Sequence, residues 1–103
     1  KIRLIIDALR SGNPIVFGCK IYSDFQKGDL GEDGLVRVPR WGENYVGRHA
    51  MLIVGVDTVK RVFIVKNSWG TNWGDEGYCL IPYAYLERSD ARDFWVMISH
   101  FEW

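Results

Sequence analysis

The sequence has 103 residues, the length of one small domain that can bury a modest core. Hydrophobic residues make up 48% of it and charged residues 25%, and its five Trp, five Tyr and five Phe argue against disorder. Thirteen basic and thirteen acidic residues cancel, and the longest apolar run, residues 50–56, is too short to span a bilayer. We therefore predict neither a nucleic-acid nor a membrane partner.

The first half of the chain begins with an amphipathic helix. Its apolar residues recur at helical spacing and share one face: Ile2, Ile5, Ile6 and Leu9. Gly12 and Pro14 then end the helix, and residues 14–22, PIVFGCKIY, read as a strand. The polar, glycine-rich stretch from Ser23 to Gly47 predicts a long loop that holds one short strand, residues 34–38.

The second half of the chain predicts a series of strands. Residues 49–57, HAMLIVGVD, are apolar without alternation, as in a strand covered on both faces. Residues 62–68 form its partner through a tight turn from Asp57 to Arg61, and two more strands follow at residues 77–83 and 93–99, with a turn or helical piece at Tyr83 to Leu86. The fold class is α+β, a mostly antiparallel sheet or half-barrel with an N-terminal helix.

The central hairpin brings a histidine close to an asparagine. If the turn centres on Thr58, Val56 faces Lys60, and the same register sets His49 opposite Asn67. Residues directly opposite in an antiparallel pair point to the same face, with Cβ atoms about 5.5 Å apart. The spacing therefore predicts that the imidazole and the carboxamide are neighbours, unless a bulge shifts the register.

A neutral amide beside a histidine suits a thiol nucleophile. The amide oxygen can accept the proton on Nδ1, which fixes the ring and leaves Nε2 to face a reactive group. A thiol is acidic enough to form an ion pair with the imidazole without help from a carboxylate. An indole over this contact would exclude water. Each residue alone has a simpler structural reading, but the coincidence of His49, Asn67, Trp69 and Gly70 in one hairpin favours a catalytic site.

Two segments carry a resemblance to a known family. HAMLIVGVD, followed by FIVKNSWGTNWGDEGY at residues 63–78, resembles the C-terminal half of the papain-like cysteine peptidases. That family shows His-Ala before a glycine-containing apolar strand, then Asn-Ser-Trp-Gly, Trp-Gly and Gly-Tyr. The resemblance extends upstream through residues 13–18 and 22–25 and is closest in style to microbial members. It implies that residues 1–103 are the β half of a two-domain enzyme.

The resemblance implies roles for the hairpin residues. His49 would be the general base and the ion-pair partner of the nucleophile, and Asn67 would orient it. Trp69 would shield their contact, and Trp73 would border the leaving-group side of the cleft. The supporting residues are Trp69, Trp73, Ser68 and Gly70.

A second set of residues would bind substrate. Gly18 and Ala50 fall where the family lines the pocket for the second residue before the scissile bond. Because both are small, we expect a roomy, apolar pocket that accepts Leu, Val or an aromatic side chain. Gly47 and Arg48 complete this set. Arg48 departs from the small or acidic residue that is common at its position, and its charge would disfavour an imidazolium while favouring a thiolate.

The family's nucleophile and oxyanion glutamine belong to an N-terminal helical half, and neither motif occurs in this sequence. Cys19 and Cys79 lie in apolar strands and are predicted to be buried thiols, although one disulfide stays possible. The chain lacks an initiating Met, which predicts a fragment or one chain of a cleaved enzyme, inactive alone. Its partners would be a peptide or protein substrate and the helical half. An isolated β half should dimerise or swap segments. No compartment is predicted.

Other chemistries fit the sequence less well. No metal or cofactor is predicted, because ligand spacing is absent among His49, His100, Cys19 and Cys79. A serine triad of Ser68, His49 and Asp57 fails, since Asp57 lies at the far end of the strand from His49. Two alternatives remain open. The whole protein could be an inactive papain-like domain used for binding, or a peptide ligase that uses the same thioester chemistry.

Overall fold

The computed structural model describes residues 1–28, 30–38, 44–88 and 91–97. Helices and strands alternate along the first part of the chain, and strands dominate the rest. In chain order the elements are helix α1 (Ile2–Arg10), strand β1 (Ile15–Tyr22), helix α2 (Ser23–Lys27), a 3-10 turn (Glu32–Gly34), strands β2 (Tyr45–Asp57), β3 (Val62–Lys66) and β4 (Tyr78–Pro82), helix α3 (Tyr83–Leu86) and strand β5 (Ala91–Val96).

Within the described residues, five strands form one open sheet in the order β4-β3-β2-β1-β5, and every pairing is antiparallel. Strand β2 is therefore the central strand. The predicted fold class is confirmed: a mostly antiparallel α+β domain that begins with a helix. None of the helices in the described part of the chain is long and apolar enough to cross a bilayer.

Helix α1 forms where the apolar spacing predicts it. Ile5 is buried, and the other apolar residues of the same face, Ile2, Ile6 and Leu9, pack against the core. Each fully buried side chain of this size contributes about 1.5–3 kcal/mol to folding. The helix therefore covers part of the sheet, with residues 15–22 following as strand β1 in agreement with the sequence.

The core lies on one face of the sheet. In β1, residues alternate between buried and partly exposed, with Phe17 completely buried. In β2, Met51 and Ile53 are buried, but Val54 keeps 41% of its surface exposed. The prediction that residues 49–57 are covered on both faces is therefore wrong for the described structure. On the second face of β2, apolar residues such as Val54 are not covered by any other described residue to the same extent and remain partly exposed to solvent.

The segment between β1 and β2 also departs from the prediction. Residues 23–27 form helix α2 rather than loop, because Phe25 is buried in the core and fixes one turn of helix. The predicted strand at residues 34–38 is reduced to an isolated parallel bridge between Leu35 and Leu80. Strand β2 begins at Tyr45, four residues before His49. Residues 39–43 of the predicted loop lie outside the described residues.

The remaining elements agree with the sequence. Strand β4 and the short helix α3 occupy the predicted positions, and the turn between β2 and β3 spans residues 58–61. The side chain of Asp57 accepts hydrogen bonds from the backbone N–H groups of Val59 and Lys60 at 3.0 Å, which closes this turn. Strand β5 spans Ala91–Val96, and residues 98–99 of the predicted last strand lie outside the described part.

Candidate active site

The hairpin of β2 and β3 has a different register from the predicted one. The pairs on the two sides of a bulge are Leu52 with Lys66, Ile53 with Val65 and Gly55 with Ile64. Extending this register by one step places Asn67 opposite Met51, so His49 is the diagonal neighbour of Asn67 on the same face. Diagonal neighbours are about 7–8 Å apart, which long polar side chains can span. The predicted direct pairing is therefore wrong, because the turn spans residues 58–61 instead of centring on Thr58, which shifts the register by three residues. The bulge reduces this shift to two residues, which keeps His49 and Asn67 on the same face.

His49 and Asn67 nevertheless make a direct hydrogen bond. His49 Nε2 lies 2.6 Å from Asn67 Oδ1. The backbone N–H of Ser68 donates to the same oxygen at 2.8 Å, which identifies that atom as the acceptor. His49 Nε2 must therefore be the donor, and Nδ1 is the nitrogen left to take a proton. This reverses the expected assignment, in which Nδ1 was to bind the amide.

Asn67 is held by its own backbone as well as by its side chain. Its N–H donates to the carbonyl of Gly77 at 3.0 Å, and only 4% of the residue is exposed. The side-chain nitrogen Nδ2 is buried and has no hydrogen-bond partner among the described residues. A buried donor without an acceptor destabilises the folded state by about 1–3 kcal/mol, so an acceptor placed at this nitrogen would stabilise it.

An aromatic ring covers the imidazole. The indole of Trp69 stacks on His49 with ring centroids 4.5 Å apart and an interplanar angle of 27°. Trp69 remains 39% exposed, so it forms a wall between the imidazole and solvent on one side. A stacked indole restricts rotation of the ring and keeps water away from one of its faces.

Helix α2 supports this aromatic wall. Trp73 is buried and its Nε1–H donates to the carbonyl of Phe25 at 2.8 Å. The ring of Phe25 packs on Trp73 at 4.9 Å and meets Trp69 edge-on at 5.8 Å. Beside them is a cleft of about 520 Å³ whose lining includes Gln26 and Trp69. The sequence did not identify Phe25, because reading residues 23–27 as loop concealed its contact with the tryptophans.

The glycine after each of the two tryptophans, Gly70 and Gly74, is needed for the backbone conformation of this loop. Gly70 has a φ of +89° and Gly74 a φ of +60°, a region that side-chain-bearing residues seldom adopt. A Cβ atom at Gly74 would lie 2.7 Å from the carbonyl oxygen of Tyr78, which is closer than atoms can approach. The two glycines let the loop fold tightly after Asn67.

A pocket lies on the other side of His49, between strands β2, β1 and β5. It encloses about 360 Å³, and its lining includes Gly18, Arg48, His49 and Ala50. Gly18 and Ala50 are directly opposite each other in the β1–β2 ladder, which brings the two small residues together. Gly47, the fourth predicted substrate-binding residue, is opposite Ile21 and does not line this pocket.

The structure adds charge to a lining that the sequence predicted to be apolar. Arg48 points into the pocket, and Asp93 of β5 joins it, with Arg48 Nη2 3.8 Å from Asp93 Oδ2. The sequence could not identify Asp93, because β5 reaches β1 only through a non-local pairing late in the chain. The apolar part of the lining includes Val16 and Trp95.

Both cysteines are buried, as predicted. Cys19 pairs with His49 across the β1–β2 ladder, but it is only 1% exposed, as is Cys79. Burial raises the pKa of Cys79 from 9.0 to about 12, with a further contribution from the nearby Cys19. In the described structure the two thiols are not joined in a disulfide. Neither offers an accessible thiolate to a substrate.

Comparison with known proteins identifies the family of this chain. The family model for papain family cysteine proteases matches residues 3–91, which is most of the chain. The chain belongs to this family. The His49–Asn67 hydrogen bond fits the histidine and asparagine pair that such proteases use. The papain-family resemblance seen in the sequence is thus confirmed.

Individual relatives agree with the family assignment. An uncharacterized peptidase C1-like protein of Acanthamoeba polyphaga mimivirus is 42% identical over 98 residues, which cover 94% of this chain and 32% of the relative. Pro-cathepsin H of Bos taurus is 35% identical over 82 residues, which cover 75% of this chain and 23% of the relative. The crystal structure of xylellain, a cysteine protease from Xylella fastidiosa, superimposes with a TM-score of 0.82 at 34% identity, covering 96% of this chain and 38% of xylellain. The chain thus spans about a third or less of the curated relatives' length.

Proposed function

We propose that this papain-family chain supplies the general base, His49, and its orienting residue, Asn67, to a cysteine peptidase that hydrolyses peptide bonds. The observation that carries the proposal is the hydrogen bond from His49 Nε2 to Asn67 Oδ1. Because that bond fixes the orientation of the ring through Nε2, the lone pair of Nδ1 points in one defined direction. The stacked indole of Trp69 holds the same ring from its face.

We propose that the nucleophilic cysteine and the oxyanion glutamine come from a helical half that this chain does not contain. The burial of Cys19 and Cys79 supports this, since neither can reach a substrate. The buried Nδ2 of Asn67, which has no acceptor among the described residues, is also consistent with a further segment covering this end of the sheet. The covering segment would contact the face that bears His49, Asn67 and Trp69.

The proposed reaction passes through a thioester. Nδ1 of His49 takes the proton of the cysteine thiol, and the resulting thiolate attacks the carbonyl carbon of the scissile bond. The C–N bond breaks as the imidazolium returns its proton to the leaving amine. Water then attacks the thioester carbon while Nδ1 takes one of its protons, and the C–S bond breaks to release the acid and restore the thiol.

The pocket that His49 lines and the cleft beside Trp69 suit the two sides of a substrate. The pocket with Gly18, Arg48 and Ala50 would receive the side chain of the second residue before the scissile bond. The cleft beside Trp69 and Trp73 would border the leaving group. An extended peptide that passes over His49 would contact both.

The test is hydrolysis of a peptide library by the full-length protein that contains this chain. We expect cleavage that a thiol alkylating reagent abolishes. Binding of peptides without cleavage would instead indicate a non-catalytic binding domain. Addition of an amine nucleophile separates hydrolysis from ligation, since a ligase would give the amine-coupled peptide as its main product.

We also propose that residues 1–103 alone are inactive and self-associate, because the apolar face around Trp69 would stay exposed. Light scattering over a range of concentrations measures this directly. A monomer at every concentration would contradict the self-association but not the catalytic proposal.

A further inference from the structure

We propose that the pocket between β2, β1 and β5 selects substrates with an acidic side chain, and that Arg48 is the residue that binds its carboxylate. This inference rests on the proposed peptidase function, because it names the substrate class that the site beside His49 would take. It differs from the expectation of a purely apolar pocket, which predicts Leu, Val or an aromatic side chain.

The absence of a side chain at Gly18 creates the space for Arg48. A Cβ atom built at Gly18 would lie 3.1 Å from Arg48 Nη2 and 4.0 Å from Asp93 Oδ2. The guanidinium therefore lies over the glycine backbone and next to the pocket that His49 lines. Arg48 and His49 line the same pocket, so a side chain that reaches the guanidinium belongs to a residue bound close to the reacting bond.

The pocket lining holds one basic residue, Arg48, and one acidic residue, Asp93, and two further basic residues occupy neighbouring ladder positions outside the lining. Lys20 is directly opposite Arg48 in the β1–β2 ladder, and Arg92 is opposite Gly18 in the β1–β5 ladder. Residues opposite each other in a ladder direct their side chains to the same face. Arg48, Lys20 and Arg92 are therefore three basic residues around the pocket, and Asp93 in its lining is the acidic one. The chain as a whole has no net charge, so this surplus is local.

The ion pair between Asp93 and Arg48 is loose. Their closest atoms are 3.8 Å apart, whereas a direct charge-assisted hydrogen bond between such groups is about 2.7–2.9 Å long. The side chain of Asp93 is 72% exposed and that of Arg48 is 31% exposed, so water screens the carboxylate more than the guanidinium. Arg48 therefore keeps donors available to a second carboxylate, and a substrate can supply one.

Asp93 lies in an irregular part of strand β5, where the backbone departs from regular strand conformation. Asp93 has a φ of +60°, and the β1–β5 register shifts between Val16 and Gly18. A left-handed residue in a bulged strand costs about 1–3 kcal/mol, and such residues cluster at binding sites. The bulge brings the carboxylate to the pocket edge, where it holds Arg48 loosely until a substrate carboxylate takes its place.

The apolar lining fits the rest of an acidic side chain. Val16, Ala50 and Trp95 provide surface for methylene groups, while Arg48 meets the charged end. Glutamate combines such a stem with a carboxylate and is therefore the side chain that we use as the probe.

The experiment compares matched peptides cleaved by the full-length protein. The peptides differ only in the second residue before the scissile bond, which is Glu, Gln, Leu or Lys. We expect kcat/KM for the Glu peptide to exceed that for the Gln peptide by about tenfold at low salt, because a hydrogen bond between charged groups replaces a neutral one. The ratio should decrease as salt is added.

Two variants isolate the contribution of Arg48. In Arg48→Leu the ratio of kcat/KM for the Glu peptide to that for the Gln peptide should fall to about one. Because both peptides are measured on the same variant, this ratio is independent of any change in overall activity that the substitution causes near His49. Lys60→Leu removes the same charge from the exposed turn at the other end of β2, and we expect it to leave the ratio unchanged.

Preference for Leu or Lys, or a Glu preference that survives in Arg48→Leu, would overturn the inference. A complete lack of cleavage would contradict the proposed function instead. In that case, anisotropy measurements with fluorescent versions of the same peptides decide the inference. Stronger binding of the Glu peptide that Arg48→Leu abolishes would support it, and binding that does not depend on the charge would overturn it.

Discussion

The two sides of His49 are built differently. On the side of Asn67 the contacts are short and directional: a 2.6 Å hydrogen bond, a shared oxygen and an indole stacked at 4.5 Å. On the side of Gly18 the defining contact is an ion pair of 3.8 Å between partly exposed groups, over a residue with no side chain. The first region fixes the orientation of the His49 ring, whereas the second leaves the Arg48 guanidinium available to a ligand.

In the proposed peptidase, this contrast would separate catalysis from selection. A general base works when its ring has one orientation, so hydrogen bonding and stacking are useful around His49. A specificity pocket works when its groups exchange partners with a substrate, so a loosely held Arg48 is useful there. Changes in the first region should therefore affect all substrates equally, and changes in the second should affect their ratio.

The largest effect is expected for His49→Ala in the full-length protein. Loss of the base should lower kcat by about 10³-fold or more for every peptide tested, because the thiol and the leaving amine lose their proton carrier. The ratio between Glu and Gln peptides should not change. Residual activity within tenfold of the parent protein would exclude His49 as the base.

Asn67→Ala should have the next largest effect. Without Oδ1, the Nε2–H donor of His49 loses its acceptor and the ring loses its orientation, which we expect to lower kcat by about 10²-fold. Asn67→Asp retains an acceptor for both His49 and Ser68 and should keep more activity than the alanine variant. If the two variants were equally impaired, the hydrogen bond would not be what positions the ring.

Asp93→Asn tests the other region and should act in the opposite sense. It removes the carboxylate that competes for Arg48, so the ratio of kcat/KM for the Glu peptide to that for the Gln peptide should rise. We expect a rise of about threefold, because exposed ion pairs contribute little free energy. Steady-state kinetics on the two peptides measure this ratio. A decrease would mean that Asp93 orients Arg48 rather than competing for it.

The smallest effect is expected at the buried cysteines. At mildly acidic pH, Cys19 and Cys79 should remain unlabelled by an alkylating reagent in the native protein, as mass spectrometry of each peptide would reveal. Cys79 is protonated under these conditions because burial holds its pKa at about 12. Rapid labelling of either residue would place the reactive thiol in this chain and contradict the proposed division of the site.

The same thiol gives a pH dependence of stability with a defined sign. The unfolded chain ionises Cys79 near 9.0 and the folded chain near 12, so the unfolded state loses its proton first. The stabilising contribution is therefore complete below about pH 9 and decreases as the pH rises towards 12. Cys79→Ala should flatten this decrease in urea titrations.

Much of the site could be predicted from local sequence. The apolar spacing of α1, the strand sequences and the run from Asn67 to Gly70 each depend on neighbouring residues, and they led to the correct fold class and family. The His49–Asn67 contact was predicted from a wrong register, and it forms because diagonal neighbours on one face are within reach of long side chains.

Periodicity and local motifs were enough to predict helix α1, most of the strands and the family, whereas residues 23–27 read as loop and form helix α2. Only the tertiary structure decided which imidazole nitrogen binds Asn67, that Phe25 supports Trp73, and that Asp93 meets Arg48. The physical reason is that these contacts depend on the exact strand register and on the pairing of β5 with β1, which joins segments far apart in the chain, and no local motif encodes either.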